Sequence, residues 1–270
     1  MSKEIQKYNG NLSNSVLKKL DLTNLNTKAF SDALSSVEIP RLFYQLVIFL
    51  IDGSNSMKEV TGSGLSKSNE VSNGIKSIVD RLKSSKNANS FDLCFIPFSD
   101  DYKDVYSVVN IKDIGATMDF NSVNFISPKG TRLAEALFYT ENLVSEYYSK
   151  NLQKNCQVLI QILSDGAIHD YNESLKIIEK LKLVNKTTIS CQYLQSHIKE
   201  GQTWYSWDEV TGKIDYESPW STDQVIASEK KISEKFKKLA TADIFFTSTI
   251  NPEEIRKHMI KSISTVSKID

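Results

Sequence analysis

The sequence is poor in cysteine and has no excess of charge of either sign. Only three of its 270 residues are cysteines, and Cys94, Cys156 and Cys191 are widely spaced, each in or beside an apolar run. This pattern is typical of buried thiols rather than of disulfides or a metal cluster. The 33 basic and 33 acidic residues cancel, so the overall charge does not favour nucleic acid as a partner.

Long apolar runs are also missing from the sequence. No run approaches the roughly 18 apolar residues that cross a membrane. The N-terminal stretch "MSKEIQKYNGNLSNS" has none of the apolar core that a signal peptide needs. We therefore expect a cytoplasmic protein with no membrane contact. With 40% hydrophobic residues, a chain of this length can bury a full core.

From residue 41 onward, short apolar runs alternate with segments of helical spacing. Val71, Ile75 and Ile78 recur at helical spacing between two such runs. The alternation predicts an α/β fold, doubly wound, with a mostly parallel central sheet and helices on both faces. The predicted strands are "RLFYQLVIFLI", "SFDLCFIPFS", "CQVLIQILS", "TTISCQYLQ" and "DIFFTSTI".

The predicted domain organisation is simple. We expect residues 1–40 to form an N-terminal extension packed on the domain, and residues 41–270 to form one domain without an internal linker. Near residue 170, Asp170 and Glu173 have the spacing of a capping box, which predicts a helix start there.

Oxygen-bearing side chains cluster at the ends of two predicted strands and before one helix. Asp52, Ser54 and Ser56 follow the first strand, Asp165 follows "CQVLIQILS", and Thr131 precedes a helix. Ligand sites of open parallel sheets lie beyond the carboxyl ends of the strands, so these side chains are expected to converge. Such hard oxygen ligands suit Mg²⁺ or Mn²⁺ better than zinc.

The same residues resemble a known motif. The string D-x-S-x-S at Asp52, Ser54 and Ser56, followed by Thr131 in "KGTRL" and Asp165 in "ILSDG", is similar to the metal-ion-dependent adhesion site of von Willebrand factor A domains. The resemblance implies a divalent cation, Mg²⁺ first, with Mn²⁺ and Ca²⁺ as alternatives. It further implies that the two serines bind the cation directly, and the threonine and the two aspartates directly or through water.

The resemblance covers most of residues 41–265, with motif order, spacing and flanking strands in agreement. One departure is Asn55, where the family usually has glycine. Asparagine tolerates left-handed backbone better than most residues, so we expect an intact site. The alternative is that the metal has been lost and the motif residues only cap loops.

The family resemblance implies an interaction module rather than an enzyme. In the family, an open coordination position of the metal is often filled by an aspartate or glutamate of a partner protein, so the metal acts as a bridge. The chain looks most similar to intracellular bacterial A-domain proteins of the tellurite-resistance type, which implies a role in stress response or signalling. The sequence specifies neither the partner nor the oligomeric state.

An enzymatic alternative uses the same aspartate. A phosphotransferase or phosphatase of the haloacid dehalogenase type also places an aspartate, here Asp52, after its first strand and uses Mg²⁺. That family needs a second aspartate two residues later as its acid/base partner, and Ser54 stands there. His169, four residues past Asp165, has two interpretations, a role at the site or a position in a solvated loop.

An aromatic-rich insertion is predicted at about residues 201–221. A hairpin with a two-residue turn at Thr211 and Gly212 fits its pattern. Its aromatic side chains either form a protein-binding patch, since such residues are enriched in interface hot spots, or pack back on the domain. The candidate partner-binding residues are Trp204, Tyr205, Trp207, Tyr216 and Trp220.

Two further segments invite ligand-binding interpretations that their residues do not support. "SEKKISEKFKKLA" alternates lysine with glutamate and keeps its apolar residues on one face, which is typical of a solvated amphipathic helix. "GSGLSKS", which contains Lys67, lacks the glycines of a phosphate-binding loop at Thr61 and Ser66.

Overall fold

The computed structural model of the protein describes residues 43–152, 154–196, 203–207 and 214–267. The described ranges belong to one compact unit, Arg41–Asp270. The predicted N-terminal extension, residues 1–40, lies outside the described residues.

The predicted strands form where apolar and β-branched residues are contiguous, because a strand covered on both faces needs no polar alternation. From Gln45 to Asp52 every residue of the first strand is buried. The strands are β1 Tyr44–Asp52, β2 Phe91–Phe98, β3 Tyr106–Asn110, β4 Cys156–Ser164, β5 Thr187–Leu194, β6 Trp204–Trp207, β7 Ile214–Trp220 and β8 Phe246–Thr249.

Helices follow where apolar residues recur at three- and four-residue spacing behind a capping residue. Ser66 caps the first helix by accepting from the Asn69 N–H, and Asn251 caps the last by accepting from the Glu253 N–H, with Pro252 in its first turn. The α-helices are α1 Lys67–Lys83, α2 Ala134–Lys150, α3 Tyr171–Leu183, α4 Thr222–Leu239 and α5 Pro252–Val266.

The central sheet has six strands in the order β3-β2-β1-β4-β5-β8. All neighbours pair in parallel except β3, which is antiparallel to β2. The chain leaves β1 toward β2 on one side and later returns beside β1 as β4, so the switch point of the sheet lies between β1 and β4. Ligand sites of such sheets lie beyond the carboxyl ends of the strands at this point.

Helices cover both faces of the sheet. The β1-α1-β2 and β4-α3-β5 units run in opposite directions from the sheet centre, so right-handed crossovers place α1 and α3 on opposite faces. Helix α1 packs against α5, and α2 packs against α3. The mostly parallel, doubly wound α/β fold predicted from the sequence is confirmed.

Two local features differ from the sequence-based expectations. The edge strand β3 was not predicted, because it is only five residues long and all five residues are exposed or half-buried. The capping box at Asp170 does not form. The Asp170 carboxylate instead accepts from the Leu133 N–H at 2.9 Å and the Ala134 N–H at 3.0 Å. It therefore caps α2 and ties the loop after β4 to the start of that helix.

A neutral polar pair, which we call the glutamine cluster, lies inside the fold and consists of Gln161 on β4 and Gln192 on β5. Both side chains are fully buried. Gln161 donates to the Met259 carbonyl of α5 at 3.1 Å and accepts from the Gln192 amide at 2.7 Å. The glutamine cluster thereby bonds the last helix to β4 and β5. In a separate contact, Gln45 near the start of β1 accepts from the Ser267 hydroxyl at 2.6 Å.

The three cysteines are free thiols, and all are buried in strands. Burial raises the pKa of the Cys156 thiol to about 11 and also raises the pKa of Cys94 and Cys191. The prediction of buried thiols is confirmed.

The predicted hairpin insertion is present as the antiparallel pair β6 and β7, which forms a separate two-stranded sheet. The backbone of Trp204 pairs with that of Trp220. The predicted turn at Thr211 and Gly212 lies outside the described residues.

Candidate metal centre

Asp52 forms the floor of the candidate site at the end of β1. Its side chain is fully buried. Its Oδ1 accepts from the Ser54 N–H at 2.7 Å, and its Oδ2 accepts from the Ser164 hydroxyl at 2.5 Å. The Ser122 hydroxyl donates to the Asp52 carbonyl at 2.6 Å. The carboxylate is thus fixed by the loop that follows it and by the neighbouring strand β4.

The two motif serines lie above this floor, Ser56 on a short 3-10 turn, Asn55–Lys58, and Ser54 immediately before it. The Ser54 and Ser56 hydroxyl oxygens are 3.1 Å apart. The Ser56 hydroxyl donates to Asp165 Oδ1 at 2.7 Å. The buried Met57 side chain anchors the turn in the core, so the serines are held toward the ends of β1 and β4.

Thr131 reaches the same point from the loop before α2. Its hydroxyl lies 3.5 Å from Asp52 Oδ2, and its carbonyl accepts from the His169 N–H at 2.9 Å. The structure therefore brings together all five residues that the sequence singled out. They are Asp52, Ser54, Ser56, Thr131 and Asp165.

The two carboxylates of the site are electrostatically strained. Burial, and then the nearby charge of Asp165, raise the pKa of Asp52 from 3.8 to about 7. Burial also raises the pKa of Asp165, against the opposing effects of Lys67 and Ser56. Two buried carboxylates that repel each other leave unbalanced negative charge, which a cation relieves.

Lys67, the first residue of α1, was not predicted to belong to this site. Its Nζ donates to Asp165 Oδ2 and to Glu59 Oε2, both at 2.7 Å. Burial alone lowers the lysine pKa, but the two carboxylates outweigh this effect and raise it. A lysine at the positive end of a helix dipole is unfavourable. A lysine at this position needs a negatively charged partner to offset the helix dipole. This was the one feature of the sequence that indicated an acidic partner for Lys67.

The donor set fits a divalent cation of the hard type. Three hydroxyls and two carboxylates converge, and oxygen ligands are those that Mg²⁺, Mn²⁺ and Ca²⁺ prefer. Because these oxygen atoms converge, the polar cluster at the switch point is the candidate metal centre. Within the ranges that the structure describes, no group of three or more histidine, cysteine, aspartate and glutamate side chains is placed to hold a metal ion.

An open pocket of about 740 Å³ lies over the candidate centre. Lys129, Arg132 and His169 line it and are all exposed, together with the exposed carboxylate of Asp100. The His169 ring packs against the backbone of Gly130, where a Cβ atom would lie 3.0 Å from the ring. His169 therefore takes the solvated loop position, at the rim of the pocket and outside the cluster of oxygen ligands.

Asn55 does not adopt a left-handed backbone conformation. Among the described non-glycine residues, only Lys186 has a positive φ. Asn55 is exposed and opens the 3-10 turn, so the replacement of the family's glycine leaves the loop unstrained.

The aromatic side chains of the insertion have different environments. Tyr205 and Tyr216 are 40% and 68% exposed, and their rings meet edge to face at 5.1 Å. Trp204 and Trp220 are half-buried. Trp204 lines a cavity of about 350 Å³ beside Glu59 and Lys67. The side chain of Trp207 lies outside the described residues.

Comparison with known proteins gives one family and several similar folds. The model of the von Willebrand factor type A domain matches residues 47–203. No curated protein sequence matches the chain. No helix in the described part of the chain is long and apolar enough to cross a membrane.

Three solved structures illustrate the similarity of fold. The pilus adhesin SpaC from Lactobacillus rhamnosus GG has a TM-score of 0.60 at 10% identity, over 85% of this chain and 31% of SpaC. The minor pilin PilB from Streptococcus sanguinis has a TM-score of 0.58 at 11% identity, over 87% of this chain and 64% of PilB. Proximal thread matrix protein 1 from the mussel byssus, with a zinc-occupied MIDAS motif, has a TM-score of 0.50 at 14% identity, over 84% of this chain and 47% of that protein.

The chain thus spans about a third to two thirds of the length of these solved chains. At such low identity the likeness shows the fold alone. The family match covers more than half of the chain and includes Asp52, Ser54, Ser56, Thr131 and Asp165. The chain therefore belongs to the von Willebrand factor type A domain family.

Proposed function

We propose that the protein is a non-enzymatic interaction module that binds a partner carboxylate through a divalent cation. The observation that carries this proposal is the convergence of Asp52 and Asp165 with three hydroxyls on the floor of an open pocket. Unbalanced buried charge below and solvent access above are what a bridging cation requires.

The residues that would hold the cation have distinct roles. Ser54, Ser56 and Thr131 offer neutral hydroxyl oxygens, while Asp52 and Asp165 supply the negative charge. Because the hydroxyls do not cancel the charge of the cation, the bound Mg²⁺ supplies a positive centre that attracts an anionic oxygen. Mn²⁺ and Ca²⁺ are the alternative ions for such a set.

The rim of the pocket supports a carboxylate as the partner group. Lys129, Arg132 and His169 surround the opening, against the single carboxylate of Asp100. Basic groups around a pocket steer acidic partners toward it and speed their association. We propose an aspartate or glutamate of a protein partner as the group that completes the site.

The phosphotransferase alternative is the less favoured function. Its nucleophile would be Asp52, but this side chain is fully buried, and both of its oxygens accept hydrogen bonds. Ser54 stands where the acid/base aspartate of that family belongs. Both features argue for binding over turnover.

The cellular setting remains a prediction. We propose a cytoplasmic protein of the intracellular bacterial type, in a stress-response or signalling complex. Two of the similar folds belong to a pilus adhesin and a minor pilin, so fractionation of cells that express the full chain is the direct test of this location.

The interaction proposal is tested by capturing cellular partners on the immobilised protein in Mg²⁺. We expect the main partner to be lost in EDTA and restored by added Mg²⁺, and to be lost with Asp52→Ala. Asp100→Asn is the matched control, because it removes an exposed carboxylate from the same pocket but not from the ligand set. Circular dichroism checks that each variant is folded.

A partner that stays bound both in EDTA and to Asp52→Ala would contradict the metal bridge. A separate assay with p-nitrophenyl phosphate tests the enzymatic alternative. We expect no turnover above background, and Mg²⁺-dependent turnover that disappears in Asp52→Asn would favour the phosphotransferase.

A further inference from the structure

Lys67 is a buried cation in direct contact with a candidate metal ligand. The residue is only 6% exposed. Its ammonium lies 2.7 Å from Asp165 Oδ2, while Asp165 Oδ1 accepts from Ser56. Its second partner, Glu59, has a side chain that is 63% exposed. One of the two oxygens of the Asp165 carboxylate is therefore already paired with a positively charged ammonium group.

This position is an unfavourable one for a lysine. Lysine is almost never fully buried unless it is paired, and the first turn of α1 is the positive end of the helix dipole. Apolar side chains replace buried ion pairs without loss of stability in several proteins. Packing alone therefore does not explain an ammonium beside Asp165.

We propose that Lys67 lowers the affinity of the site for a divalent cation, so that the cation is held tightly only when a partner carboxylate adds negative charge. The inference rests on the cation site of the proposed function. A cation bound to Asp165 shares that carboxylate with the ammonium, and like charges beside one carboxylate repel each other in a weakly screened site. Glu59 acts in the opposite direction, because its charge partly neutralises the ammonium.

The proposal predicts opposite effects for two substitutions on the same ion-pair network. Calorimetric titration of the full chain with MgCl₂ alone, and with MnCl₂ alone, measures them. We expect Lys67→Met to bind each ion at least tenfold more tightly than the unmodified protein. We expect Glu59→Gln to bind each ion several-fold more weakly. A general loss of structure would weaken binding in both variants.

Two control variants separate charge from shape. Lys76→Met removes an exposed lysine from the same helix, away from the pocket, and since exposed charges are screened, we expect its ion affinity to stay within threefold of the unmodified protein. Lys67→Arg keeps the buried charge and should also stay within threefold. A gain in Lys67→Arg equal to that in Lys67→Met would overturn the proposal.

Thermal melting in EDTA gives a second readout. Lys67→Met leaves Asp165 without its cation, so we expect a lower melting temperature in EDTA and a larger rise with Mg²⁺ than in the unmodified protein. Equal or weaker Mg²⁺ binding by Lys67→Met overturns the proposal. Should this variant not fold, Glu59→Gln decides, because unchanged or tighter binding there overturns the proposal as well.

The test of Lys67 and the test of the bridging function can fail separately, because the ion titrations contain no partner. If Lys67→Met binds Mg²⁺ more tightly while partner capture is insensitive to EDTA, the role of Lys67 stands and the bridging function fails. If partner capture needs Mg²⁺ but the ion affinities of Lys67→Met and the unmodified protein are equal, the bridging function stands and the role of Lys67 fails.

Discussion

The same sheet contains two buried polar clusters with opposite electrostatic character. At the switch point, Asp52 and Asp165 are buried carboxylates whose pKa values are raised by desolvation. Lower in the sheet, the glutamine cluster is equally buried but neutral, and its amides bond one another and the last helix. Buried polarity by itself therefore does not distinguish a binding site from a structural cluster. What distinguishes the proposed site is unbalanced charge below an open pocket.

The largest effect is expected from introducing a charge into the neutral cluster with Gln161→Glu. A protonated glutamate can replace the amide, by donating to the Met259 carbonyl and accepting from Gln192. The ionised form would face that carbonyl without a cation, which we expect to cost about 3–5 kcal/mol of unfolding free energy.

Because the pKa of this buried glutamate would be raised in the folded state, stability should be near that of the unmodified protein at pH 4 and be lost as the pH rises toward neutrality. Urea unfolding across this pH range measures it. A constant difference at all pH values would show that shape, and not charge, matters there.

An intermediate effect is expected from neutralising the charged cluster with Asp52→Asn in EDTA. The folded-state pKa of Asp52 is raised from 3.8 to about 7. Ionisation therefore favours the unfolded chain, and metal-free stability is lost as the pH rises from about 4 to about 7. Relative to the unmodified protein, Asp52→Asn should gain roughly 2–4 kcal/mol between pH 4 and pH 8.

Saturating Mg²⁺ should shrink this gain, because the ion binds a carboxylate at position 52 more tightly than a neutral amide and so stabilises the unmodified protein more. Urea unfolding of both proteins, in EDTA and in Mg²⁺, measures the stability gain of Asp52→Asn without and with the ion. Parallel pH profiles for the two proteins would mean that Asp52 is not electrostatically strained.

The smallest effect is expected at His169, which lies beside the same pocket but is exposed. Electrostatic effects of exposed groups are screened by solvent and salt, so His169→Gln should change the calorimetric Mg²⁺ affinity by less than about threefold. A larger change would show that proximity to the site outweighs burial.

Local sequence patterns predicted most of the residues at the carboxyl ends of the parallel strands. Apolar runs give the positions of the strands, and parallel strands present their carboxyl ends at one edge. Asp52, Ser54, Ser56 and Asp165 follow from that rule once the strands are assigned, whereas Thr131 precedes a helix and completes the set through the resemblance to the family motif. Their exact ligand roles depend on a cation and remain predictions.

The contacts that tune the site could not be predicted in the same way. Lys67 meets Asp165 across 98 positions of the chain, and Asp170 caps a helix that begins 36 positions earlier. Such pairings depend on how α1 and α2 pack on the sheet, and periodicity carries no information about them. Ser164 was hidden for another reason, since it is the last residue of an otherwise regular buried strand.

The three buried thiols give the chain natural reporters of its own motions. Cys94, Cys156 and Cys191 lie in β2, β4 and β5, on both sides of the central strand β1. A water-soluble alkylating reagent reaches each sulfur only when the surrounding strand opens. The labelling rate at each cysteine therefore measures how often a different part of the sheet opens. Three strands of the sheet can therefore be followed without introducing a new cysteine.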